Sequence, residues 1–326
     1  MQVLVLGGTG FIGKRLTSRL LQEGELSLNG QAPREIKRLV VFDKHGTDQL
    51  PNDPRLEIID GDINDDRLID NLLKSSYDAI FHLAAIVSGE AERDFDMGMR
   101  VNLKASMNIL EICRHQNRKP LMVFASSCAV FGGNATKSII RDDTHTTPQS
   151  SYGTQKAITE LLINDYSRRG FIDGRVLRLP TIMVRSGKAN AANSSFASSM
   201  IREPLHGHTT TCPVPDETMI WILSPEAAIL NFMFGASLNS DLLGDNRIVT
   251  LPGLKTSVSE IKERMKELKG KEILDLIETS IDEDVYNMVQ TWPIDFDTSR
   301  ALDLGFVKDN SISDVIKLFM KEEFDS

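Results

Sequence analysis

Val3-Leu4-Val5-Leu6-Gly7-Gly8-Thr9-Gly10-Phe11-Ile12-Gly13 decides how the chain is read. Four apolar residues make a short buried strand, and Gly7, Gly10 and Gly13 follow at three-residue intervals. Apolar residues at Phe11, Ile12, Leu16, Leu20 and Leu21 then give a helical spacing over Phe11–Glu23. A strand, a glycine turn and a helix in that order let backbone approach a pyrophosphate. The free N–H groups and partial positive charge of the helix N-terminus can then hold it. Gly7, Thr9, Gly10, Phe11, Ile12 and Gly13 are therefore the expected contacts of a dinucleotide. A glycine-rich turn without a ligand is the bland alternative, and the flanking strand and helix weigh against it.

Outward from this segment, short apolar runs alternate with helical patterns. Strands are expected at Arg38–Phe42, Leu56–Ile59, Ala79–Ala84, Leu121–Ser126 and Gly174–Leu179. Helices are expected at Asp66–Lys74, Asn102–Gln116 and Ser151–Arg168. This alternation implies an α/β fold, a Rossmann-type doubly wound parallel sheet with helices on both faces. After Pro180 the pattern changes. Residues 185–218 are rich in Ser, Asn, Thr, Pro and Gly and read as loops suited to covering a site. Arg247–Leu251 is expected to rejoin the main sheet, and Val258–Leu268 and Asp314–Lys321 read as helices. The expected organisation is a cofactor-binding domain over residues 1–180 and a smaller, discontinuous substrate-binding lobe within 181–326.

Composition narrows the function classes. The 326 residues suffice for a sizeable core, and 41% hydrophobic with 25% charged residues is ordinary for a globular protein. A net charge of -9 argues against nucleic-acid binding over a broad surface, yet permits a locally positive pocket. Cys113, Cys128 and Cys212 form no metal-like spacing and no disulfide framework, and the six histidines give no zinc signature, so no metal is expected. No apolar run reaches the ~18 residues of a membrane span. Residues 2–6 run straight into glycines, unlike a signal peptide, and the cytoplasm is the expected location.

Carboxylates after successive strands extend the cofactor reading. Asp43 closes the second strand, where it can accept from both ribose hydroxyls and repel a 2′-phosphate, favouring NAD over NADP. It lies 30 residues past Gly13 (43 − 13), further than the usual ~20, because Gly24–Lys37 reads as an insertion. Neighbouring Lys44 and Arg38 leave room for some tolerance of NADP. Asp62 can accept from the adenine amino group while Ile63 packs on the ring. The small residues of Leu83-Ala84-Ala85 let the adenosine side lie close to backbone.

Tyr152 and Lys156, in Ser151-Tyr152-Gly153-Thr154-Gln155-Lys156, carry the expected chemistry. Oxidising an alcohol needs a base, and a free tyrosine with pKa ~10 is too weak at neutral pH. A nearby ammonium lowers that pKa, and residues i and i+4 share a helix face. Lys156 is expected to hold the cofactor ribose and tune Tyr152. Ser127, closing Val123-Phe124-Ala125-Ser126-Ser127, is expected to orient the substrate oxygen.

These residues resemble the extended short-chain dehydrogenase/reductase family. The likeness rests on the glycine pattern, His82-Leu83-Ala84-Ala85, Val101-Asn102, Phe124 through Gly132, Tyr152-x-x-x-Lys156, and Asp297 through Phe306. It implies NAD as cofactor, Asn102 shaping the sheet and a water path near the site, and a dimer built on the helix of Tyr152. Further strings, among them Ala84 through Glu92, Asn164 through Phe171, and Arg178-Leu179-Pro180-Thr181, resemble a sugar-acid dehydrogenase branch of that family. This second likeness implies oxidation of the C2 hydroxyl of a small sugar acid. Leu179 and Thr181 become expected cofactor contacts. Ser88, Ser127, Cys128, Tyr152, Arg185 and Asn190 become candidates for the substrate, with Ser194 and Ser195 nearby. Arg185 and Arg202 are candidates for its carboxylate, since guanidinium binds carboxylate bidentately. Cys128 also reads as a packed small side chain.

Two alternatives stand beside this. One is a nucleotide-sugar epimerase with tightly bound NAD. The segment Thr218 through Ala227 lacks the paired acidic residues usual there, no arginine closely precedes it, and Phe131 replaces a frequent tyrosine. The other is a redox-sensing binding protein, disfavoured because both Tyr152 and Lys156 are kept.

Overall fold

Gln2–Leu6 (β1) buries both of its faces, Val3 and Val5 into one apolar core and Leu4 and Leu6 into another. That is the signature of a central parallel strand. The computed structural model describes residues 1–44, 50–116, 118–187 and 194–324. After β1 come α1 (Phe11–Glu23), a hairpin of β2 (Glu25–Leu26) and β3 (Arg34–Glu35), β4 (Arg38–Asp43), β5 (Leu56–Asp60), α2 (Asp66–Lys74) and β6 (Ala79–His82). Next are α3 (Ser88–Arg93), α4 (Phe95–Gly98), a wide turn of π-helix over Met99–Lys104, α5 (Ala105–His115), β7 (Leu121–Ser127), α6 (Ser151–Arg168), β8 (Asp173–Leu179) and β9 (Thr181–Ile182). The remainder holds α7 (Ser195–Leu205), β10 (Thr210–Cys212), β11 (Met219–Leu223), α8 (Pro225–Ser237), β12 (Ile248–Thr250) and β13 (Leu254–Ser257). It ends with α9 (Val258–Lys269), β14 (Ile277–Thr279), α10 (Glu283–Val289), α11 (Ser299–Leu304) and α12 (Ile312–Phe324).

The main sheet has seven strands in the order β12-β8-β7-β6-β1-β4-β5, and every pairing is parallel. From β1 the chain builds outward through β4 and β5, then returns to β1's other side for β6, β7 and β8. The crevice between β1 and β6 is therefore the switch point where doubly wound sheets bind ligands. One face is covered by α1 and α8, through Leu16, Leu20, Ala228, Ile229 and Phe232. The other is covered by α2, α5 and α6, through Ile69, Leu72, Ile109, Leu110 and Ile163. A third core, including Met200, Ile201, Ile220, Ile222, Ile261 and Ile316, lies among α7, α9, α12 and the sheet β13-β11-β9.

Several expectations shift. The strand expected over Ala79–Ala84 ends at His82, and Leu83 leaves the sheet after donating its N–H to Leu6 O at 2.9 Å. The helix expected from Asn102 starts earlier, at α4, and passes through the π turn before α5. The stretch 185–218 is less loop-like than its composition suggests, because α7 and β10 lie inside it. Ser195 and Ser199 of α7 are half-buried and Ser198 is buried, and Phe196, Met200 and Ile201 bury its inner face. The Gly24–Lys37 insertion carries the β2–β3 hairpin, and Asn29 and Gly30 donate backbone N–H groups to Ala236 O and Ser237 O at the end of α8. Among the described residues, no helix is long and apolar enough to cross a membrane, and no group of three or more His, Cys, Asp or Glu could hold a metal.

Candidate active site

The parallel register brings the carboxyl ends of β1, β6, β7 and β8 to one edge, so Gly7, Leu83, Ser127 and Leu179 emerge together. Gly7 adopts φ 81°, and a Cβ there would stand 2.6 Å from Ala84 N. A Cβ on Gly13 would stand 2.1 Å from Gly7 O. The turn is thus folded tightly on itself and against Leu83-Ala84, and only glycine backbone fits. Gly10 precedes α1 without a side-chain cap, and the first turn of α1 holds no acidic residue. Its leading N–H groups therefore keep their attraction for an anion.

Asp43 ends β4 and accepts from Thr9 N at 3.0 Å and from Lys44 N at 2.7 Å. Its carboxylate is thereby fixed against the glycine turn. Asp62 accepts from Asn64 N, Asn64 Nδ2 and Lys44 Nζ. The Asn64 backbone bond is the chief reason its carboxyl sits below the usual range. Ile63 is buried with Ile69 and Leu72, and Ala84 and Ala85 are half-buried and exposed. Phe11 and Ile12, half-buried, open α1, while Leu179 ends β8 and Thr181 opens β9 on either side of Pro180.

Ser150 caps α6, accepting from Gly153 N, and so sets the turn that carries Tyr152 and Lys156. The Tyr152 phenol lies near Ser127. Burial pushes its pKa up to about 12, while Arg185 and the Ser127 hydroxyl act to lower it. Lys156 is buried, donates to Ala125 O at 2.9 Å, and lies 4.5 Å from the Phe124 ring centre and 5.6 Å from that of Tyr152. Burial pulls its pKa down to about 7, opposed by Glu160. The nearby Arg185 guanidinium also acts to lower the phenol pKa, while the Lys156 ammonium points to the Ala125 carbonyl and the Phe124 face.

Arg185 is largely withdrawn from solvent, which lowers its pKa, and the neighbouring Tyr152 acts to raise it. Its guanidinium stands 5.6 Å from the Phe11 ring centre, between the start of α1 and the phenol, and among the described residues it meets no carboxylate. Arg202 differs. It is buried and bonded to Glu203 Oε1, Arg185 O and Ser199 Oγ. Its donors are engaged within the chain, so the carboxylate role expected of it is replaced by support of the Arg185 backbone. Ser88 opens α3, half-buried, and Ser194 precedes α7. Asn190 lies outside the described residues.

Asn102 is buried on the π turn. It accepts from Ile86 N at 2.9 Å and donates to Gln155 Oε1 at 2.8 Å and Ile86 O at 3.3 Å. It ties the loop after β6 to α6 through its own side chain, with no donor left over. Cys128 is buried beside Ser127, and desolvation raises its thiol pKa. That makes it a packing residue with no thiolate to offer. Sequence reading missed the buried pair Glu160 and Arg178, joined at 2.7 Å behind the site. The available signal was an acid on the inner face of α6 and two arginines, Arg175 and Arg178, inside a buried strand.

A doubly wound parallel sheet, a glycine turn at its switch point and a Tyr–Lys–Ser cluster at the same edge define a class. The chain belongs to the NAD dependent epimerase/dehydratase family, whose model matches residues 3–221. It is 48% identical over 322 residues to D-erythronate dehydrogenase of Cupriavidus necator, covering 99% of this chain and 98% of that one. It is 43% identical over 321 residues to D-erythronate dehydrogenase of Haemophilus influenzae, covering 98% and 99%. Among solved structures, a nucleoside-diphosphate-sugar epimerase from Agrobacterium tumefaciens superposes with TM-score 0.93 and 38% identity, over 100% of this chain and 95% of that one.

Proposed function

We propose that this protein is an NAD-dependent dehydrogenase that oxidises the C2 hydroxyl of D-erythronate to 2-oxo-D-erythronate (2-dehydro-D-erythronate). One observation carries the reading: Tyr152 has Ser127 on one side and, on the other, the Arg185 guanidinium, which meets no carboxylate among the described residues. The near full-length likeness to two D-erythronate dehydrogenases supports the same substrate. NAD fits the turn, whose backbone is too close-packed for any Cβ at Gly7 or Gly13. Residues Gly7 through Gly13, Asp43, Asp62, Leu83 through Ala85, Leu179 and Thr181 would hold it, with Lys156 at the nicotinamide ribose. When bound, NAD supplies the hydride acceptor and a positive ring.

Each side chain has a task. Ser127 holds the C2 hydroxyl against Tyr152 Oη. Tyr152 takes the hydroxyl proton as the C2–H bond gives up hydride, and bulk solvent finally receives that proton. Cationic charge at Arg185 and Lys156 stabilises the phenolate. Arg185 also orients the substrate carboxylate, and Ser88 and Asn190 are assigned to its other hydroxyls. The cofactor half spans residues 1–180 and is completed by β12; the rest of 181–326 forms the substrate half. The exposed apolar Ile158 and Leu161 of α6 and Met107 of α5 support a homodimer, and the cytoplasm suits a chain with three free, buried thiols.

The Agrobacterium relative supports a second reading, a nucleotide-sugar epimerase that retains NAD. Incubation with NAD or NADP and D-erythronate, L-threonate and their isomers separates the two. Saturable NADH formation on D-erythronate, abolished in Tyr152→Phe, is expected. Absence of turnover on every four-carbon acid refutes the substrate and favours the epimerase.

A further inference from the structure

Three successive residues of β7 each reach a different turn of α6. Ser127 neighbours Tyr152, Ala125 O accepts from Lys156, and Ser126 Oγ donates to Glu160. Tyr152, Lys156 and Glu160 are spaced by four residues and share one helix face. Arg178 of β8 closes on Glu160 as a fork, with Nη2 to Oε2 at 2.7 Å and Nε to Oε1 and Oε2 at 3.0 and 3.2 Å. The two side chains are 3% and 1% exposed. Arg178 Nη1 has no hydrogen-bond partner among the described residues, and Cζ lies 4.6 Å from the Phe131 ring centre. A buried ion pair is weak evidence of a stabilising role, since apolar replacements are often as stable. Its place one turn beyond Lys156 points to another use.

We propose that the Glu160–Arg178 pair is a positioning device for Lys156: the Glu160 carboxylate, one turn along the same helix face, favours the ammonium form of the lysine inside its dry site, and the Arg178 fork holds that carboxylate in place. This rests on Tyr152 and Lys156 being the active pair. The groups around the ammonium support it. Tyr152 and Glu160 face it from α6, His82 from β6 and the Phe124 ring from β7, with Arg178 of β8 and the Cys128 thiol behind Glu160. His82 is held neutral, its pKa lowered to about 3 first by burial and then by Lys156. Glu160 is therefore the anion that offsets the desolvation of Lys156. With a pKa lowered to about 7, Lys156 is only partly ammonium at pH 7 to 8, so losing that field removes most of the ammonium that remains. A neutral amine can neither stabilise phenolate nor donate three hydrogen bonds.

The test is NMR titration of the full chain labelled with 13Cε-lysine, the Lys156 signal being assigned by its absence in Lys156→Arg. Wild type is expected to show one lysine titrating near pH 7, apart from the rest near ~10.4. In Glu160→Gln the midpoint falls by ~1 unit or more. Because that variant strands the Arg178 cation, the double variant Glu160→Gln/Arg178→Met is measured beside it. It is expected to regain the wild-type melting temperature, to keep a lowered midpoint, and to lose about tenfold in kcat at pH 8 with KM for the acid unchanged. A double variant with wild-type midpoint and pH profile overturns the proposal and leaves the pair purely structural. Turnover surviving in Tyr152→Phe sinks the active-pair reading instead, and the NMR midpoints separate that failure from this one.

Discussion

Replacing Arg185 by methionine sets stability against function at one side chain. The guanidinium is largely desolvated, lies near Phe11 and Tyr152, and meets no carboxylate among the described residues. A cation buried without a partner destabilises the fold. Methionine fills similar volume without the charge, and a gain of about 1 kcal/mol, near 2 °C in Tm, is expected. Function moves the other way. A carboxylate bound in the fork gains two charge-assisted hydrogen bonds of about 1.5 kcal/mol each, so their loss removes about 3 kcal/mol, or ~10²-fold in kcat/KM. The assay is steady-state NADH formation with D-erythronate, and with erythritol as the matching polyol lacking a carboxylate, alongside a thermal melt. Wild type should favour the acid strongly, and Arg185→Met should erase most of that preference while melting higher. A raised KM for NAD with the acid preference intact would place the guanidinium on the cofactor phosphates and refute the reasoning. A lower Tm with unchanged kinetics would refute it differently, making Arg185 a structural residue.

Further outcomes follow from the same geometry. Gly13→Ala would ordinarily favour a helix, but here its Cβ meets Gly7 O at 2.1 Å, so a loss of about 1–3 kcal/mol or more and weakened NADH fluorescence binding are expected; an unchanged melt contradicts the close packing. Lys156 carries a pKa lowered from 10.5 to about 7, so the unfolded chain binds more protons between those values and stability rises with pH across that window. Lys156→Met should flatten this rise in urea midpoints from pH 7 to 9.5, and parallel curves would show the ammonium is not buried. His82, lowered from 6.5 to about 3, makes stability fall as pH drops through that range, and His82→Gln should reduce the fall. Leu161, 66% exposed on α6, should matter for association; Leu161→Glu is expected to weaken a dimer at least tenfold by light scattering, and unaltered mass refutes that interface.

Where local rules dominate, sequence and structure agree closely. The limits of α1, α2 and α6 coincide with the expected ones because each begins at a capping or glycine signal and keeps its apolar stripe. The β1 turn and the Tyr152–Lys156 spacing were legible for the same reason: both follow from neighbours in sequence. The losses came where distant residues decide. Serine-rich α7, with Pro204 in its last turn, folds as a helix because a third core receives Phe196, Met200 and Ile201. Arg202 could be told from Arg185 only once Glu203, Ser199 and the Arg185 carbonyl were seen around it. That Arg185 also acts on Tyr152 was not legible, because spacing shows which residues of α6 share a face and says nothing of a residue brought there from beyond β9.

Arg175, buried in β8, depends on acceptors contributed much later in the chain. Its guanidinium donates to Gly235 O and Leu238 O at 3.0 Å each, and to Asn29 Oδ1, which also accepts from Ser240 N. The outer strand β12 arrives only at Ile248–Thr250. During synthesis, the first 180 residues therefore emerge from the ribosome with a buried arginine lacking those later acceptors and a sheet edge lacking its neighbour. Release of that half by itself exposes both to aggregation, and chaperone dependence should end only after residue 250 has cleared the exit tunnel.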